Sequence, residues 1–188
     1  PGWIDRARLV LAAALMAAAL LLPFWRMTLR EPQYPGGLRA QIFITHLAGD
    51  VQELNGLNHY IGMRPLETLA VVERSLAVYL IPGFAFLTLG AAFVRRRWGL
   101  WLAVPALGVP LVFVADLGAW LYYAGHSLDP RAPLSASIKP FTPPLLGEGK
   151  VGQFVTVASF DAGFYMVLAA AVLIAVALVL RRRARALS

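Results

Sequence analysis

The chain has 188 residues, 59% of them hydrophobic and 14% charged, and 17 Lys and Arg against 10 Asp and Glu give it a net charge of +7. Soluble domains run near 45–50% apolar and about 25% charged, so part of this chain has lipid for solvent. It contains no cysteine, which excludes disulfides, thiolate metal sites, thiol redox chemistry and a covalent c-type haem.

In chain order, four apolar stretches stand out, at about 9–24, 75–94, 98–123 and 162–180. Each is close to the ~20 residues that cross ~30 Å of hydrocarbon. The expected fold is an all-α membrane protein, a four-transmembrane-helix bundle in one domain spanning 1–188. Two long extracytoplasmic loops, about 25–74 and 124–161, are expected to form a small β/α cap. The first stretch ends in Pro23-Phe24-Trp25-Arg26 with no small-residue cleavage site, so it reads as an anchor and not as a signal peptide. Pro82-Gly83, Pro105 and Pro110 predict kinks that a membrane bundle tolerates, and a quinol or lipid pocket between the kinked helices stays open.

The arginines indicate orientation. Arg6 and Arg8 precede the first stretch, Arg95, Arg96 and Arg97 separate the second from the third, and Arg181, Arg182, Arg183 and Arg185 follow the fourth. With four spans all nine fall on one side, which positive-inside logic makes cytoplasmic, together with both termini. The positive charge is then mainly a topology signal, and the expected partners are lipid and protein, not nucleic acid.

The unusual sequence lies in the outer loops. After the turn chemistry of Pro32 to Gly37, Leu38 to Leu47 alternates with the period of a strand, and Lys150 to Ser159 is β-branched and strand-like; the two are expected to pair. Between them, Asp50-Val51-Gln52-Glu53 has capping-box form and predicts a helix from about Val51 to Ile61, stopped by Gly62 and Pro65. Its buried stripe would be Val51, Leu54, Leu57 and Ile61. Asp116, near the outer end of the third stretch, is expected to pair with Arg74 or to line a wet cavity. Tryptophans and tyrosines at the helix ends read as interfacial belts.

All three histidines, His46, His59 and His126, fall in the outer segments, which argues against a b-type haem held between spans. His59 and Met63 are four apart and project to one point if the helix persists. Imidazole and thioether suit a soft ion such as Cu(I), although each histidine taken alone is more often a surface residue than a ligand.

The segments PQYPGGL, GDVQELNGLNHYIGM and GHSLDPRAPLSASIKPFTPPLLG, with VGQF soon after, resemble a family of small multi-pass bacterial membrane proteins encoded near genes for nitrous-oxide reduction and copper-site maturation. The resemblance implies residence in the bacterial inner membrane and a role on its outer side, near a periplasmic or membrane redox or copper protein. It favours His59, Met63 and His126 as copper ligands, with His46 less well covered. A copper-handling site built on these would have Asp116, Asp129 and Asn58 as supporting partners. Two functions follow as expectations. One is a non-enzymatic accessory protein that handles copper for assembly of a copper enzyme or for respiratory electron transfer. The other is a structural or docking subunit of a larger respiratory or transport complex, with the Pro-rich second loop lying along its partner. No G-x-S-x-G, phosphate-cradling Gly loop or H-E-x-x-H supports an enzyme.

Overall fold

A computed structural model describes residues 3–31, 34–94, 99–134, 136–151 and 154–186. The turn expected at Pro32 and Gln33 and the inner residues Arg95 to Trp98 lie outside these. The chain is mixed α/β, a helical layer closed at one end by a five-stranded antiparallel sheet, and not the all-α four-helix bundle expected from the apolar stretches.

The correction begins at the first stretch. Helix α1 runs Trp3–Ala19 and ends in a tight turn through Leu20 to Leu22. Pro23 has no N–H to continue the helix and biases Leu22 to extended backbone, so Phe24, at the end of the apolar run, already belongs to strand β1, Pro23–Glu31. At 17 residues α1 is ~25 Å long, short of the ~30 Å hydrocarbon core. Three helices are long and apolar enough to cross a membrane: Val71–Phe93, Gly99–His126 and Ala162–Leu180. α1 packs against two of them, its stripe of Leu9, Ala12, Ala13, Met16 and Ala19 buried on α3, Val71–Phe93, and α6, Ala162–Ala186. Alanines at the contact let the backbones approach closely.

The third stretch is one helical run, Gly99–His126, jointed into three segments. A 3-10 turn at Gly99–Ala103 leads into α4, Val104–Leu107, and α5, Val109–His126. Pro105 and Pro110 stand at the starts of α4 and α5, where a missing N–H costs nothing, so they begin segments where kinks were predicted.

The sheet has the order β3-β2-β1-β5-β4, with β2 Tyr34–Phe43, β3 Leu47–Gly49, β4 Gly147–Val151 and β5 Phe154–Phe160. The two strand-like segments do not pair with each other: β1 stands between them, bonded to β2 on one side and β5 on the other. The second segment is the β4–β5 hairpin. Trp25, Met27 and Leu29 of β1 face inward with Leu38, Ala40, Thr156 and Ala158, while Arg26, Arg30 and Arg39 face out. Helix α2, Val51–Ile61, covers the far part of the inner face through Leu54 against Leu29 and Leu38. Trp25 and Ala158 cover the near part against Leu117 of α5.

α2 has the predicted bounds and ends on Gly62, whose φ of 83° is the left-handed stop expected of a C-terminal glycine. The capping box does not form. The Asp50 carboxylate accepts the Arg39 amide at 2.9 Å and ties β2 to the start of α2 instead.

Candidate functional site

The chain enters and leaves the sheet from one end of the helical layer: α1 leads into β1, α3 follows α2, α5 leads to β4, and α6 follows β5. At the opposite end α3 packs on the 3-10 turn and α4. Toward the sheet α3 and α5 separate, and a cavity of about 490 Å³ lies between them, within the 300–1,000 Å³ range of small-molecule sites. α3 supplies Ala77, Leu80, Ile81 and Phe84, α5 supplies Val112, Phe113, Leu117 and Trp120, and Trp25, Met27 and Ile42 of the sheet form the roof. Its rim opens sideways: Leu76, Leu80 and Val112 line it and are 51%, 48% and 67% exposed. Elsewhere on the same two helices Phe86 and Leu111 are both 74% exposed. α3 and the Gly99–His126 run are both long and apolar enough to cross a membrane, and exposed apolar patches of this kind mark membrane or protein contact.

Three charged residues line the cavity, Glu73, Arg74 and Asp116. Asp116 lies close enough to Glu73 for their charges to interact and is reached by the Trp120 indole one turn further along α5. Arg74 does not make the expected pair with Asp116. Its Nη2 donates to the carbonyls of Glu67 at 2.6 Å and Leu69 at 2.8 Å, and its Nε donates to that of Ala70 at 3.3 Å. The two ion pairs seen among the described residues are Arg8 with Asp5 and Arg26 with Asp161, each at 3.0 Å.

The expected copper ligands are spread over the outer face. His46 is exposed and stacked on Phe43 at 4.3 Å, with its Nδ1 3.0 Å from the Thr45 hydroxyl. His59 is exposed on α2, edge-on to Tyr60. Met63 follows the left-handed Gly62, so it leaves the helical path that would set it beside His59; its amide bonds to the Asn58 carbonyl, and it lines the apolar cavity. His126 stacks on Tyr122 at 3.9 Å and its Nδ1 donates to the Tyr122 carbonyl at 2.9 Å. The Asp129 carboxylate accepts the Arg131 amide at 2.8 Å.

The backbones do converge. The Asp129 amide donates to the Gly62 carbonyl at 2.8 Å and the Leu134 amide to that of Tyr60 at 3.0 Å. A Cβ on Gly62 would stand 2.7 Å from the Asp129 carbonyl oxygen. The LNHYIGM and GHSLDP segments are thus neighbours, while the described residues contain no group of three or more His, Cys, Asp or Glu placed to share a metal ion. No known protein family, curated protein or solved structure matches the chain.

Proposed function

We propose that the protein is an integral protein of a bacterial cytoplasmic membrane whose working site is the cleft between α3 and α5, filled from the side by the apolar part of a long-chain amphiphile. The observation that carries this reading is the cavity of about 490 Å³ whose walls are almost wholly apolar and whose rim residues are apolar and exposed, on helices long enough to cross a membrane. In this orientation the arginine-bearing helix ends are cytoplasmic, and the sheet with α2 forms a cap outside. The test is photolabelling in vesicles with a diazirine-bearing fatty acid. Labels concentrated on cleft residues such as Ala77 and Phe113, and lost in Leu80→Trp, support it. Labelling spread evenly over outward residues such as Phe86 and Leu111 would sink it.

A second reading assigns the outer face to copper handling, as an accessory to a copper enzyme or to respiratory electron transfer. It is favoured by the Gly62–Asp129 and Tyr60–Leu134 backbone bonds, which hold the segment of His59 and Met63 against the one that follows His126. Copper retained after Cu(I) loading and lost in His59→Ala supports it; no retained copper in the unaltered protein excludes it.

A further inference from the structure

We infer that the outward face of the sheet is a docking surface for the acidic surface of another extracytoplasmic protein. The juxtaposition that carries this is three exposed cations, Arg30, Arg39 and Lys150, set around the half-buried Val155 and Val157 on one face of four paired strands.

The strand register fixes the arrangement, because directly opposed residues of an antiparallel pair share a face. Arg30 opposes Val155, which opposes Lys150, so this valine stands between two cations in one row across β1, β5 and β4. In the next row Arg39 opposes Thr28, Thr28 opposes Val157, and Val157 opposes Glu148. At strand and residue spacings of about 4.8 and 3.3 Å, the three cations fall within roughly 16 Å of one another. They are not balanced from within the chain. Arg26, in the row nearest the helices, is paired with Asp161 at 3.0 Å, but the side chains of Arg30, Arg39 and Lys150 make no ion pair or hydrogen bond among the described residues. Asp50, Glu67 and Asp129 accept hydrogen bonds from the Arg39 amide, Asn55 and the Arg131 amide, and none forms an ion pair with these cations. Glu148 is the carboxylate that the strands add to this face among the described side chains.

An acidic surface fits both features, since complementary charge steers the encounter and the valines offer apolar contact inside a polar rim. Anionic lipid fits less well. The inner face looks onto the helices through Trp25 and Leu117 and onto α2 through Leu29, Leu38 and Leu54, so the outward face is turned from the helical layer. Arg30 lies seven residues beyond Pro23, about 23 Å along the strand from the junction with α1, and the attraction of a charged bilayer fades within a Debye length of ~8 Å. A second copy docked face to face would set the same cations against each other. The inference is independent of the cleft and uses only the position of the cap outside the membrane.

The experiment uses the full chain in phosphatidylcholine nanodiscs. Short fluorescein-labelled peptides of alternating Glu-Val or alternating Lys-Val are titrated at neutral pH and about 150 mM salt, where remote charges are largely screened, and read by fluorescence anisotropy against empty discs. The Glu-Val peptide should bind at least about tenfold tighter than the Lys-Val peptide. Arg30→Glu, Arg39→Glu and Lys150→Glu should each weaken it about threefold, the scale of one exposed charge pair, and three separate reversals keep the test usable if one variant fails to fold. Arg131→Glu combined with Lys139→Glu removes more charge, but from the second loop, and should change binding by less than about twofold. Equal binding of the two peptides, no binding of either, or a loss in the second-loop variant as large as in the sheet variants would overturn the inference. Vesicles of phosphatidylglycerol are offered in parallel; their capture by discs that do not bind the Glu-Val peptide would identify a lipid surface instead and overturn it as well. None of these outcomes bears on photolabelling of the cleft.

Discussion

Ala70 is the one non-glycine residue with positive φ among the described residues, at φ 52° and ψ 34°. The left-handed region costs an L-residue about 1–2 kcal/mol because Cβ crowds the carbonyl oxygen. What holds it is Arg74, whose side chain bonds the carbonyls of Glu67, Leu69 and Ala70 and whose amide also bonds Ala70. Ala70→Gly removes the steric penalty at the expense of glycine's larger unfolded-state entropy, so denaturant unfolding in detergent should show a net gain of up to about 1 kcal/mol. Thr88 is the converse case: it is fully buried on α3 and its hydroxyl has no hydrogen-bond partner among the described residues. Thr88→Val fills the same space without the unpaired hydroxyl, and the same unfolding measurement should show a gain of about 1 kcal/mol. Neither residue could be singled out from the sequence, since Ala and Thr are ordinary in apolar helices. The same limit explains Met63. Its spacing from His59 was legible as one helical turn, but the left-handed Gly62 between them redirects the chain.

The central strand β1 shows what periodicity can hide at the level of elements. Trp25, Met27 and Leu29 alternate with Arg26, Thr28 and Arg30, a period-two pattern as clear as that of β2. The apolar run before it continues through Phe24 and masks its start, and two arginines, Arg26 and Arg30, break the apolar signal within it. Helix α2 was legible to the residue, because a stop at Gly62 is a local signal. The β1 pairing was not, because its partner β5 lies far away in sequence. Trp25 ties this strand to the second loop: it is 2% exposed and its Nε1 donates to the Leu145 carbonyl at 2.7 Å. Trp25→Phe leaves that carbonyl unpaired and opens space under the sheet, a loss of about 1–3 kcal/mol. Hydrogen exchange over 141–147 should rise with it, whereas exchange over α1 should stay as it is.

For the whole molecule, composition pointed to membrane-spanning helices, and three are long and apolar enough to cross a membrane where four were expected, because one apolar run serves two elements. α1 shares a buried core with α3 and α6, including Met16, Ile81 and Ile174. The sheet places each of its two outer parts against β1: β2 and β3 on one side, β5 and β4 on the other. That arrangement sets a timetable. Trp25 pairs with Phe160, so during synthesis one edge of β1 waits while the intervening chain is made, on the order of ten seconds at about 5–20 residues per second. Over that interval an edge carrying Arg26 and Arg30 presents unpaired N–H and C=O groups to whatever is nearby. A chain truncated after residue 153 should remain in that waiting state. Trypsin should cut it after Arg26 and Arg30 at least about tenfold faster than the full chain, where the same bonds lie between two paired strands. Equal rates would mean that β1 is held by β2 alone. β5 is in this sense the latch of β1, and the nascent protein is open to misassociation until that strand arrives.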